Sequence, residues 1–549
     1  MTTCSNCNQQ FQIEPQDSEF YKKIKIPEPT WCPLCRQIRR LSFRNELNLY
    51  KRKCDFSGEE IISMYSPEKP YKIYSNKEWW SDRWDPFKYG RDFDFNRTFF
   101  DQFAELQKEV PRMALNGINN ENSDYTNYSL GNKNSYLVFT ADYNEDCMYG
   151  RFSVKNFHCV DFDMTEHSTE CYETLDAKKC TKCFFCQKCA ESSELYFCYD
   201  MRNCHNCIGC ANLRNKEYQV FNQKVSKEEF EKAKAELNMG SYAGLRASFE
   251  KCRLATLKFP RKLLENIKCE ECIGDYLQNS KNAKFCFDSH DLQDVKFATQ
   301  VFGVTDSYDW DFVGVESQLC YEMVSTAYKM QNCKFTMNAW EGCYNLQYCD
   351  LCLNSKDLFG CIGMRGKHNC ILNKQYTKEE FDILVAKIIE HMMQTGEYGQ
   401  FFPITLSPFA YNESVAEEYF YLTKENALAR GLKWRDEENK AAKNGLTVDQ
   451  LPDNIKEVKD DIINQVMICP TCGKNHKLIP QELKFYKQMG LALPRECWKC
   501  RHKRRMAQKN PKILYPRECA KCHTSIMSTY GPEKPEIVYC EKCYLDEVE

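Results

Sequence analysis

The chain has 549 residues, 42% of them apolar and 28% charged, with a formal net charge of −3. That composition suits several water-soluble domains, each long enough to bury a core, and it confines any nucleic-acid surface to local patches. No apolar run approaches the roughly 18–20 residues needed to cross a bilayer, which excludes a helical membrane protein.

The N-terminus MTTCSNCNQQ lacks the charged-then-apolar order of a signal peptide. A cytoplasmic, reducing compartment is therefore expected, and the 35 cysteines read as thiols or metal ligands rather than disulfides. Residues 4–40 align without a gap on residues 469–505, with 13 of 37 positions identical, among them Phe20, Tyr21, Arg36, Arg39, Arg40 and every cysteine. Both stretches read C-x2-C-x24-C-x2-C followed by R-x-x-R-R. Each C-x2-C knuckle offers two thiolates to one ion, and the loop between lets two knuckles meet. Structural zinc is predicted at Cys4/Cys7/Cys32/Cys35 and at Cys469/Cys472/Cys497/Cys500. Four thiolates leave no open position for a substrate, so neither site is catalytic.

Arg36, Arg39, Arg40 and Arg44 follow the first set, and Arg501, Lys503, Arg504, Arg505 and Lys509 follow the second. On a helix leaving the knuckle these side chains share a face suited to phosphate contact. A solvated face or a protein-contact surface accounts for them equally well. Residues 54–78 match the third C-terminal site, but the ligand positions hold Cys54, Ser57, Ser75 and Glu78, so this copy is expected to be metal-free and packed by Trp79, Trp80 and Trp84. Residues 96–110 form an amphipathic helix.

From Tyr136 the chain follows a twelve-residue register. Its first column reads Tyr136, Met148, Val160, Tyr172, Phe184, Tyr196, Ile208 and Val220, apolar throughout. Short strands stacked in columns indicate a β-solenoid or a regular β-meander, with a coil of 12 or 24 residues. A looser set runs from Asn279 to Cys370, and residues 208–230 match 359–381 at 9 of 23 positions. Each ending carries a capping box, Ser226-x-x-Glu229 and Thr377-x-x-Glu380, which starts a helix over the open strand edge.

Residues 180–189, CTKCFFCQKC, lack the last gap and the proline of the bacterial ferredoxin pattern. In an extended strand each three-residue step moves a side chain about 10 Å, which keeps the four thiols apart. Cys183 and Cys186 fall in the register's columns and read as buried packing, whereas Cys180 and Cys189 fall outside them. An additional metal at Cys180, Cys183, Cys186 and Cys189, or at Cys269 and Cys272, is the competing reading. An iron–sulfur cluster is disfavoured.

At the C-terminus, Cys519/Cys522/Cys540/Cys543 gives C-x2-C-x17-C-x2-C, a third zinc site. The stretch CPTCGKNHKLIPQELKFYKQMGLALPRECWKCR at 469–501 resembles the small zinc-ribbon (treble-clef-like) domain of bacterial proteins, over roughly 40 residues at each end. The whole chain resembles a Cys-rich bacterial family carrying such domains at both ends. The resemblance implies zinc and no activity.

The resulting map is a double ribbon (1–80), a helical connector (81–130), a first solenoid half (131–224), a helical cap (225–268), a second half (269–375), a helical segment with a charged linker (376–468) and a second double ribbon (469–549). The fold class is mixed β with α: a Cys-rich β-solenoid or meander body with helical caps, flanked by duplicated zinc-ribbon modules. No phosphate loop, dinucleotide fingerprint, H-E-x-x-H or nucleophile elbow is present. A non-enzymatic protein with three structural zinc ions is expected, acting as a nucleic-acid (RNA or DNA) adaptor. The alternatives are a protein–protein scaffold and a metal- or iron–sulfur-dependent redox protein.

Overall fold

A computed structural model describes residues 1–324, 327–436 and 445–548, so residues 437–444 of the expected linker lie outside the described residues. The chain forms two compact units, Met1–Leu115 with Leu264–Arg435, and Asn116–Leu263 with Asp436–Glu549. Each unit joins one solenoid to the ribbon modules of one chain end. The N-terminal modules share a unit with the second solenoid, and the C-terminal modules with the first.

The first solenoid is a parallel sheet from Gly117–Ile118 to Glu217–Val220, and it begins before the register read from Tyr136. The coil is 12 residues: Met148 pairs with Val160, Val160 with Tyr172, and Leu195 with Cys207. Four bridge columns run along the stack, represented by Lys133↔Glu145, Tyr136↔Met148, Phe139↔Arg151 and Asp142↔Val154. Each coil is therefore four sides of three residues. Every third residue from Gly131 to Tyr218 has positive φ, and only Gly131 and Gly209 in that series are glycines. A left-handed corner costs a non-glycine residue roughly 1 kcal/mol. The coil-to-coil hydrogen bonds offset this cost, for example Tyr136 N–H to Cys147 O and Met148 N–H to Cys159 O, both 3.0 Å.

The residue just before each corner's predecessor points to the axis, and in this stack such residues fall at multiples of three. Asn132, Asn144 and Asn156 form one inward ladder, their amides linked at 3.0 Å from Asn144 to Asn132 and from Asn156 to Asn144. Cys147, Cys159, Cys171 and Cys183 form another, and all eleven cysteines of this core lie in the same triplet phase.

The second solenoid repeats the design from Ile267 to Ile371. Its pairing steps by 12 between Lys281 and Gln293, by 13 from Tyr308 through Tyr321 to Lys334 and Gln347, and by 12 again from Lys356 to His368. The extra residue in the middle coils is why its sequence register looks loose.

Both stacks end in the same way. Gln223–Lys224 and Lys374–Gln375 fold back antiparallel on the last strand. The helices Lys227–Glu236 and Lys378–Gln394 follow, with both predicted capping boxes formed. Gly240 lies between the first of these and the helix Tyr242–Thr256. The connector helix runs Phe99–Glu109 under a Thr98 cap.

One outward carboxylate stands against the fold. Burial raises the pKa of Asp142 to about 6, despite a hydrogen bond from Leu130 N–H at 3.0 Å. A carboxyl with a raised folded-state pKa contributes most below the unfolded value and loses that contribution as pH rises through 6. Asp142→Asn is therefore expected to raise stability by about 1–3 kcal/mol at pH 8 and to change little at pH 4, read from urea midpoints at the two pH values.

Candidate metal centres

Among the described residues, three groups of Cys, His, Asp or Glu bring their ligand atoms within 4.8 Å of one another: Cys4/Cys7/Cys32/Cys35, Cys469/Cys472/Cys497/Cys500 and Cys519/Cys522/Cys540/Cys543. These are the twelve cysteines predicted as ligands. The local chain explains the convergence. Each first knuckle closes on itself by a pair of backbone bonds, as in Cys4 N–H to Gln9 O and Asn8 N–H to Cys4 O, both 2.9 Å. The second knuckle opens a helix, with Cys32 preceding Pro33–Leu41 and Cys497 preceding Trp498–Met506. Across the sites Sγ atoms approach to 3.8 Å, from Cys7 to Cys32, Cys472 to Cys497 and Cys522 to Cys540.

Backbone N–H groups point at the first sulfur of each set, from Cys32 to Cys4 at 3.2 Å, Cys497 to Cys469 at 3.3 Å and Cys540 to Cys519 at 3.2 Å. Burial opposes ionisation of Cys4, but N–H donation, led by Cys32, outweighs it and draws the thiol down to about 6. Cys519 falls to about 6 and Cys469 to about 7 by the same balance. Four thiols, one of them already tuned toward thiolate, suit a soft tetrahedral ion.

The fourth copy keeps the frame without the ligands. Cys54 N–H still bonds Glu59 O at 2.8 Å, and Ser75 N–H still points at Cys54 Sγ at 3.2 Å. Ser75 now caps a short helix by accepting from Glu78 N–H. Trp79 and Trp84 are buried beside it as predicted, while Trp80 is 37% exposed.

The basic rows are not free surfaces, and here the structure corrects the sequence reading. Arg36, Arg39, Arg40 and Arg44 are all at most 3% exposed. Arg36 donates to Asp309 at 2.8 and 3.1 Å. Arg40 donates to Asp309, Asp311 and Glu322 at 2.9, 2.9 and 3.1 Å, and Arg39 to Glu322 at 2.9 Å. Arg44 pairs with Glu46 and lies over the Phe312 ring. The C-terminal row repeats this pattern. Arg501 donates to Asp161 at 2.8 Å and Glu482 at 3.1 Å. Arg505 donates to Asp163, Asp161 and Glu173 at 2.9, 3.1 and 3.3 Å, and Arg504 to Glu173 at 2.7 Å. Lys509 lies 3.6 Å from Asp176, and only Lys503 and Arg504 of this row are exposed. The helix face is the predicted one, and of the readings open to it the face meets solenoid carboxylates of its own chain.

The aromatic pair that precedes each row docks on the same coils. Phe20 stacks on Tyr308 with centroids 4.0 Å apart, and Tyr21 meets Tyr321 edge-on. Phe485 and Tyr486 pack on Tyr172. Asp161/Asp163/Tyr172/Glu173 and Asp309/Asp311/Tyr321/Glu322 are thus corresponding acceptors in the two solenoids. Asp309 and Asp311 are salt-bridge partners of Arg36 and Arg40.

CTKCFFCQKC also needs correction. Its chain does not run straight; it turns at Lys182, Phe185 and Lys188, all left-handed. Cys180, Cys183, Cys186 and Cys189 therefore occupy the four sides of a single coil, all inward and all buried. Cys180 and Cys189 are coil positions like the other two. Each thiol donates to the carbonyl two residues back and to the one nine residues on, for Cys180 to Lys178 O at 3.5 Å and Cys189 O at 3.4 Å. Burial pushes the Cys183, Cys186 and Cys189 thiols up, away from thiolate. These are packing and hydrogen-bonding groups. Cys269 and Cys272 lie in the first coil of the second solenoid and are half-buried.

The class defined by these features is a Cys-rich β-solenoid protein with ribbon-like modules and four-cysteine groups at both chain ends, able to hold metal ions. No helix among the described residues is long and apolar enough to cross a membrane. No protein-family model matches the sequence, and no curated protein matches it. Among solved structures, a "putative acetyltransferase" from Desulfovibrio desulfuricans G20 aligns at 8% identity over 43% of this chain, with a TM-score of 0.10. The alignment spans 63% of that chain, and a likeness this slight carries no argument about fold or activity.

Proposed function

We propose that this chain is a non-enzymatic zinc protein in which three structural zinc ions fasten ribbon modules to β-solenoids, and that the assembled units serve as a protein–protein interaction scaffold. The observation that carries the reading is the coupling of two of the three tetrads, Cys4/Cys7/Cys32/Cys35 and Cys469/Cys472/Cys497/Cys500, to an arginine row. Cys35 and Cys500 lie in the same helices as Arg40 and Arg505, so the ion's geometry aims the arginines at the solenoid carboxylates. Closed thiolate sites of this kind contribute to folding and leave no place for a substrate.

The nucleic-acid adaptor reading loses its main support because the arginines that would meet phosphate are already neutralised. The test is metal content together with a binding titration. About three zinc ions per chain, in a colourless protein whose RNA and DNA binding is negligible at 150 mM salt, is the expected result. Tight nucleic-acid binding with a steep salt slope would restore the adaptor reading, and a brown, iron-containing protein would establish a redox one.

A further inference from the structure

Of the cysteines that point to a solenoid axis, Cys269 and Cys272 alone among the described residues are not buried. They occupy adjacent sides of the first coil, with the left-handed corner Glu271 between them. Their thiols donate to Ile267 O at 3.4 Å and Glu270 O at 3.3 Å, as inward thiols do elsewhere, but no earlier coil stacks on them. The strand that carries Cys269, Ile267–Glu270, is the edge of its sheet. Ile267 and Ile273 beside it are 54% and 38% exposed. The opposite end of this stack is closed by the antiparallel strand Lys374–Gln375 and a helix, whereas the Ile267–Glu270 end has no such cap.

We propose that Cys269 and Cys272 are half of a tetrathiolate metal site that the same two residues of a second copy complete. The chemistry is that of the terminal sites, where two C-x2-C pairs would surround one ion; here a single pair is present, and it forms no group of three or more ligand residues among the described residues. The occupant follows from the geometry of the stack. Two copies that meet open end to open end make a two-fold contact, and that contact brings each pair onto its equivalent. The rim carries Lys268 beside Glu270 and Glu271, so a two-fold copy meets both signs of charge, and the exposed isoleucines supply apolar contact.

The proposal rests on the zinc chemistry of the preceding section, but its test is a difference that the tetrads do not affect. Zinc per chain and solution mass are measured for the full chain, for the double variant Cys269→Ser/Cys272→Ser, and for Ile267→Asp, which blocks the approach and leaves the thiols in place. A dimer with about 3.5 zinc ions per chain is expected for the parent, and monomers with about 3 for both variants. A parent that is monomeric, a variant that remains dimeric, or a content unchanged by the substitutions overturns it. Loss of the tetrad zinc would instead lower all three proteins equally.

Discussion

Chelation of the metal from the Cys469/Cys472/Cys497/Cys500 site is expected to release the C-terminal ribbon from its solenoid as a unit. Structural zinc supplies on the order of 10 kcal/mol to modules of this size, more than their small apolar core provides. Without the ion, burial and mutual repulsion raise the pKa values of Cys497 and Cys500, and nothing holds the knuckles together. The helix Trp498–Met506 then loses its fixed start, and Arg501 and Arg505 lose their aim. The measurement is amide hydrogen exchange with and without chelator. Protection is expected to vanish together over 469–506 and at the corners around Asp161 and Glu173. Cys472→Ser is expected to reproduce the pattern without chelator. Retained protection at those corners after metal loss would show that the arginine contacts hold the ribbon unaided.

Arg505→Met is expected to destabilise its unit by about 3–5 kcal/mol, and Arg40→Met the other by a similar amount, because each leaves three buried carboxylates short of a cation. Arg40 and Arg505 are fully enclosed, so little solvent screening softens the loss. Arg504 is the internal control. It bonds Glu173 as well, but its side chain is 41% exposed, and Arg504→Met is expected to cost under about 1 kcal/mol. Denaturant midpoints of the three variants check the order. The coupling also runs backwards, since an arginine loss that weakens docking must weaken metal binding by the same factor. A competitive zinc chelator titration of Arg505→Met should show that decrease.

Much of this architecture is legible in the sequence, and the gaps have physical causes. Ligand spacing identified all twelve terminal cysteines because C-x2-C geometry is local. The twelve-residue columns exposed the solenoid, since stacked coils repeat their side-chain environments. The triplet within each coil leaves no such mark. Left-handed corners favour glycine and asparagine, but here Tyr149, Asp161 and Phe185 occupy them, so the expected turn residues do not mark the turns. That is why Cys180 and Cys189 looked out of phase. The arginine rows stay open between phosphate, solvent and protein contact in the sequence because their acceptors lie 340 and 273 residues away, for Arg501 with Asp161 and Arg36 with Asp309. A signal was present nonetheless. Phe20, Tyr21, Arg36 and Arg40 recur in the second ribbon as Phe485, Tyr486, Arg501 and Arg505, and the solenoids share D-x-D followed by C-Y-E at Cys171–Glu173 and Cys320–Glu322. Two sets of retained residues with opposite charge are a docking pair, and matching one set against the other would have found it.

The four-sided coil also has a bearing on how such chains change over time. The carboxylates that receive each ribbon sit on two successive coils, and other coils add contacts of their own, such as Tyr149 with Glu482 and Asp200 with Tyr544. Deleting or duplicating a whole twelve-residue stretch away from these contacts leaves every inward position in phase, and the 13-residue steps of the second solenoid show a single extra residue absorbed within its own coil. Sequences descended from this one should therefore vary in length by entire coils or by single residues taken up inside one, with the coils that bear the D-x-D and C-Y-E residues as the fixed point.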